Sequence, residues 1–141
     1  MSAWLLKTEP AEFSFDDLVQ RGVEPWDGVT NPYALHNLRE AQVGDPCVIY
    51  HTGKERQAVG LGSVARTAYP DPKQNDPNLV VIDVKAGPRL EQPVRLDVLK
   101  ANPAFADSLL VRQSRLSVVP LTDQQYATIL ELAGSQPGSG K

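Results

Sequence analysis

Val43-Gly-Asp-Pro-Cys-Val-Ile-Tyr-His51 and, after a polar gap, Ala58-Val-Gly-Leu-Gly-Ser-Val-Ala65 are the two runs on which the fold turns. The first opens on a Val43-Gly44-Asp45 turn and continues as an apolar strand through Val48 to His51. The second is a strand whose glycines mark places where another part of the chain approaches its backbone closely. Together they read as a hairpin, and the segment between them, His51-Thr-Gly-Lys-Glu-Arg-Gln57, as a polar loop of the kind that carries sites.

Strands outnumber long helices on either side of this hairpin. Ala3 to Lys7 reads as a first strand and the β-branched run Leu79-Val-Val-Ile-Asp-Val-Lys85 as another. Ser14 is placed to cap a short helix with acids in its first turn, and Gly22 ends it. Asn31 to Arg39 forms a second helix with Pro32 at its first position. Val94 to Lys100 and Pro103 to Ser108 hold short helical turns, and Thr122-Asp-Gln-Gln125 is a capping box for a helix reaching Ala133. The proline-rich stretch Ala68 to Pro77 reads as an ordered excursion or a flap. The pattern is that of an α+β domain over residues 1–134, followed by a Gly/Ser/Pro tail over 135–141 expected to be disordered.

Composition narrows the partners. The 141 residues are 41% hydrophobic, enough for one compact core, and the formal net charge of −3 argues against sequence-independent coating of nucleic acid. Any nucleic-acid contact is therefore expected to be focal. The single cysteine, Cys47, lies in an apolar run and reads as core. No run approaches the roughly 18 to 20 apolar residues of a membrane span, and the opening apolar run is too short for a signal peptide. The expectation is a soluble, cytoplasmic chain with no membrane partner.

Leu110-Val-Arg-Gln-Ser-Arg-Leu-Ser-Val118 sets two guanidiniums, an amide and two hydroxyls in an apolar stretch, like the polar floor of a pocket. Read as a strand, it sends Gln113, Arg115 and Ser117 to one face and Arg112 to the other, and only a turn near Gln113-Ser114 brings the arginines together. A guanidinium fork suits a carboxylate, a phosphate or a base edge, although either arginine equally suits a pair with Asp107. Trp4 reads as core, whereas Trp26, between Pro25 and Asp27-Gly28, reads as a loop residue whose ring can stack on a flat ligand.

Catalytic chemistry finds little support. His36 and His51 are the only histidines, without metal-ligand spacing, and no nucleophile elbow or glycine-rich phosphate loop is present. His51 beside Asp27 or Glu9 is the one conceivable acid/base pair. No metal, cofactor or enzymatic activity is expected.

Trp4-Leu-Leu-Lys-Thr-Glu-Pro10, Trp26-Asp-Gly-Val-Thr-Asn-Pro-Tyr-Ala34, Val43-Gly-Asp45, Tyr50-His-Thr52 and Val111 to Val118, in this order, resemble the EVE domain family over Ala3 to about Ala133. The resemblance implies a PUA-like fold, a mixed, mainly antiparallel β-barrel with short peripheral helices. It further implies a non-catalytic module that recognises a modified base, such as a modified cytosine in DNA or a modified RNA base, with any effector on a separate protein. Carried over residue by residue, it makes Trp26 and Tyr50 or His51 pocket walls. Lys7, Thr8, Asn31, Gln113 and Arg115 become polar contacts, with Ser117 in the same run; the physics of reading one base then places Lys7, Arg56 and Arg112 as contacts to flanking phosphates. Thr30 departs from the family pattern, where a basic residue often follows Trp-Asp-Gly-Val. The alternative is a pocket for a small nucleotide-like or anionic metabolite, or an adaptor domain.

Overall fold

In the computed structural model, which describes residues 2–134, six strands form one sheet in the order β2-β5-β4-β3-β1-β6. They are β1 (Ala3–Thr8), β2 (Val23–Pro25), β3 (Pro46–His51), β4 (Gln57–Pro70), β5 (Val80–Arg95) and β6 (Val118–Leu121). Only β1 and β3 pair in parallel; the other neighbours are antiparallel. β2 and β6 are the free edges, so the mixed, mainly antiparallel sheet expected from sequence is present but is not closed into a ring by hydrogen bonds. The expected tail over 135–141 lies outside the described residues.

Five short helices decorate the sheet among the described residues: α1 (Phe15–Arg21), α2 (Pro32–Glu40), α3 (Leu96–Ala101), α4 (Leu109–Arg112) and α5 (Asp123–Leu132). Their ends follow local chemistry. Ser14 and Thr122 each complete a capping box, with Asp17 and Gln125 respectively, and Asn31 accepts from the amides of Tyr33 and Ala34 just before Pro32. Gly22 closes α1 at φ 79°, a conformation that costs glycine least.

Two sequence readings are corrected. The strand beginning near Leu79 runs on to Arg95, because β4 pairs along its whole length, with register shifts that absorb Gly87-Pro88. Leu110 to Ser117 is not a strand: Ser108 caps α4, the chain turns over Gln113 to Leu116, and the ladder resumes only at Val118. The alternation there came from a helical turn followed by a tight turn, not from a pleat.

The core is one buried cluster in which Leu5, Leu6, Val48 and Ile49 of the central strands are fully enclosed. Trp4 is buried as expected, its indole Nε1 donating to Asp45 Oδ2 at 3.0 Å. Cys47 is also enclosed, and burial pushes its thiol up to about 12, which leaves it unreactive at neutral pH. Gly60 and Gly62 make the close approaches inferred from sequence: a side chain at 60 would overlap the Phe15 ring, and one at 62 would meet the Lys85 carbonyl. Gly60→Ala is therefore expected to lower stability by about 1 to 3 kcal/mol through forced displacement of α1, measured by denaturant unfolding. A change within experimental error would show that Phe15 has room to move.

Candidate functional site

The site grows out of one end of the central strand pair. The parallel register sets Lys7 opposite Tyr50 and Thr8 opposite His51. Because successive strand side chains alternate, this end sorts its groups onto two faces. Thr8 and His51 face α1: Thr8 Oγ1 donates to the Phe13 carbonyl at 2.6 Å, and the Phe15 amide donates to His51 Nε2 at 3.0 Å. Tyr50 faces the other side, where α4 packs. The pairing of β3 with β4 shifts between Ile49 and Tyr50, leaving Val59 as an extra residue beside Tyr50. Such bulges re-aim side chains at sheet ends.

Two cavities result, and Lys7 lines both. The first, about 290 Å³, is bounded by Thr8, Phe13, Trp26, Glu12, Glu24 and Asp27. Phe13 and Trp26 meet edge to face, with ring centroids 6.1 Å apart. Three carboxylates and two aromatic rings make this cavity acidic and flat-walled; Glu24 also pairs with Arg21, and Asp27 with Lys73. The second cavity, about 250 Å³, is bounded by Tyr50, Thr52, Gly53, Arg56, Lys100 and Ser114 together with apolar side chains of α3 and α4. It contains three cations and no carboxylate. Lys7 Nζ donates to the Ser114 carbonyl at 2.9 Å and lies 5.8 Å from the Tyr50 ring centroid, and partial burial lowers its pKa.

Lys7, Thr8, Trp26 and Tyr50, four of the residues the resemblance implied, line the cavities. His51 does not: it is buried, and its partners use both ring nitrogens. The Phe15 amide can only donate, so Nε2 accepts, and Nδ1 carries the proton toward Glu55 Oε1 at 2.9 Å. That leaves His51 no free nitrogen for acid/base work with Asp27 or Glu9. Asn31 is occupied as the cap of α2. The α4 turn places Arg112 against Asp107 at 2.8 Å, the pairing weighed from sequence, and leaves Arg115 exposed without an ion pair among the described residues. Neither arginine, nor Gln113 or Ser117, lines either cavity; the run contributes Leu110, Val111 and the Ser114 backbone instead.

Sequence reasoning missed Phe13, Glu12 and Lys100. Phe13 immediately precedes the Ser14 cap, a position that commonly packs a hydrophobe back onto its helix and so was open to notice. Lys100 has no local signal, since only the docking of α3 beside β5 brings it to the cavity. Among the described residues no three His, Cys, Asp or Glu side chains cluster to hold a metal, and no helix is long and apolar enough to cross a membrane.

Fold and site together define a PUA-like domain with a divided pocket at one sheet end. The chain belongs to the EVE domain family, whose model matches residues 2–132. It is similar to rat thymocyte nuclear protein 1, at 30% identity over 169 residues covering 95% of this chain and 74% of the relative. A crystal structure of an Agrobacterium tumefaciens protein superposes with a TM-score of 0.93 at 33% identity, covering 96% of this chain and 94% of that one. The crystal structure of human THYN1 protein in complex with 5-methylcytosine-containing DNA superposes with a TM-score of 0.86 at 28% identity, covering 97% and 100%. The sequence resemblance and the fold it implied are thereby established.

Trp26, read from sequence as a loop residue, is only 6% exposed and belongs to the core cluster while one side of it lines the cavity. Trp26→Ala is accordingly expected to cost about 3 to 5 kcal/mol of stability. Trp26→Phe, which keeps a ring in place, should cost much less. Chemical denaturation of both variants checks this, and an unfolding free energy unchanged in Trp26→Ala would make Trp26 a surface wall rather than a core residue.

Proposed function

We propose that this chain is a non-catalytic nucleic-acid-binding module that reads a modified base in the cavity lined by Phe13 and Trp26. The observation that carries the reading is the division at Lys7: an aromatic, carboxylate-lined cavity on one side and a cationic, carboxylate-free one on the other. A base needs flat walls and edge partners, whereas its backbone needs cations. The human THYN1 complex with 5-methylcytosine DNA, at the same fold and 28% identity, supports the same class of ligand here.

The edge chemistry narrows the base. Carboxylates accept hydrogen bonds, so Glu12, Glu24 and Asp27 suit a base that presents an exocyclic amine, as cytosine and adenine do and thymine and uracil do not. Thr8 Oγ1 is already committed as a donor to Phe13 and offers the ligand only its acceptor lone pairs. Base stacking on such walls contributes about 1 to 3 kcal/mol, comparable with the cost of unstacking one nucleotide. Binding to unmodified nucleic acid should be weak. Any cleavage or signalling that follows recognition belongs to a separate effector chain.

Fluorescence polarisation tests the reading with matched DNA and RNA oligonucleotides carrying cytosine, 5-methylcytosine, 5-hydroxymethylcytosine or N6-methyladenine, beside the free nucleosides. The expected result is at least about tenfold preference for one modified oligonucleotide over its unmodified match, the discrimination a methyl-sized feature gives in a fitted pocket. The oligonucleotide should also bind more tightly than its free nucleoside. Equal affinity for oligonucleotide and nucleoside would point to a metabolite pocket, and equal affinity for modified and unmodified strands would overturn the proposal.

A further inference from the structure

The cationic cavity has features that a solvated basic patch lacks. Tyr50 is 3% exposed overall, and its hydroxyl, which opens onto the cavity and is not sealed in, has no hydrogen-bond partner among the described residues. Burial raises its pKa, so it stays a protonated donor at neutral pH. Arg56 has φ 46° and is the one non-glycine residue with positive φ among the described residues. That left-handed conformation is costly for an arginine and nearly free for a glycine. The backbone around it is held on both sides: the Arg56 carbonyl accepts from Leu96 N at 2.9 Å, and Gln57 begins the β4 ladder opposite Arg95. Strain of this kind at a pocket rim is characteristic of sites where the side chain is needed in place.

The charges are unspent. Lys7, Arg56 and Lys100 make no ion pair among the described residues, although 17 acidic side chains are present in the sequence. Glu9 points at Gly53 and accepts from the Thr52 hydroxyl at 3.4 Å, and Asp97 lines an adjoining pocket with Arg56 and Lys100, but neither carboxylate lines this cavity. Gly53 has φ 72°, and a side chain there would strike Glu9.

We propose that this second cavity is a phosphate-binding site, with Tyr50 Oη, Lys7, Arg56 and Lys100 as its donors. The inference rests on the base-reading proposal for one of its two possible sources: a phosphodiester beside the base that occupies the Phe13–Trp26 cavity, with the strand crossing the sheet end over Lys7. A free phosphate, as on a mononucleotide, shares the same chemistry.

The variants Arg56→Gly and Tyr50→Phe separate the possibilities in the full chain. Arg56→Gly relieves the backbone, so its thermal midpoint should be no lower than that of the wild type. Its affinity for the preferred modified oligonucleotide should fall about tenfold, and the slope of log affinity against log salt should shrink by about 0.9, the loss of one phosphate contact. The modified-to-unmodified preference should not change, because the base cavity is untouched. Tyr50→Phe should fall in the same direction by a smaller factor. A neutral methylphosphonate next to the modified base should weaken wild type and leave Arg56→Gly almost unaffected, which assigns the site to a phosphodiester. Thermal stabilisation of wild type but not Arg56→Gly by inorganic phosphate assigns it to a free phosphate. The proposal is overturned if Arg56→Gly keeps wild-type affinity and salt slope while inorganic phosphate stabilises both proteins equally. If wild type discriminates no modified base but Arg56→Gly still loses phosphate stabilisation, the base reading fails and the phosphate site stands.

Discussion

The parallel register of β1 against β3 is the constraint from which the rest of the site follows. It sets Lys7 beside Tyr50 and Thr8 beside His51 at one sheet end, flanked by antiparallel strands that lock both partners in place. A slip of one residue would reverse the faces of every side chain and send Tyr50 toward α1. Fully enclosed leucine, valine and isoleucine side chains along both strands make such a slip costly. His51 adds a clamp: by accepting from the first amide of α1 it ties that helix, and with it the Phe13 wall, to the end of β3. His51 therefore shapes the site through position and has no free nitrogen to offer a ligand.

Charge placement explains how an acidic chain can favour a polyanion at one spot. The net charge of −3 repels nucleic acid at long range, and five cations are neutralised locally among the described residues, as in the pairs of Arg112 with Asp107 and Arg95 with Asp97. Lys7, Arg56 and Lys100 are among the cations that make no ion pair with a described residue, and they alone of these share one cavity free of carboxylates. On the proposed reading, so few phosphate contacts make affinity depend on fitting a base and keep non-specific binding weak. The carboxylates of the first cavity would strengthen this bias by repelling phosphates from the walls proposed to hold the base.

Much of the scaffold was legible because its signals are local. Ser14, Asn31 and Thr122 cap helices through their own side chains, and the glycines at 60 and 62 mark real close approaches. The stretch from Leu110 to Ser117 misled because a four-residue helix followed by a turn mimics strand alternation, and the Ser108 cap was the quieter clue. Arg112, Gln113, Arg115 and Ser117, which the resemblance assigned to the site, line neither cavity. Lys7, Thr8, Trp26 and Tyr50, which the motif resemblance implied, line the two cavities. Tertiary contacts decided the rest: His51 was drawn inward by α1, Asn31 was used up as a cap, and Lys100 arrived on α3.

With only two tryptophans in the chain, the indole N–H signals of a proton–nitrogen NMR spectrum test the central claim most directly. Trp4 donates to buried Asp45 and serves as an internal control, while Trp26 lines the aromatic cavity. On titration with a 5-methylcytosine oligonucleotide, the account predicts that the Trp26 indole shifts or broadens while Trp4 stays in place, with a weaker response to the unmodified strand. Saturable binding that leaves the Trp26 signal unmoved would place the ligand elsewhere and contradict the account.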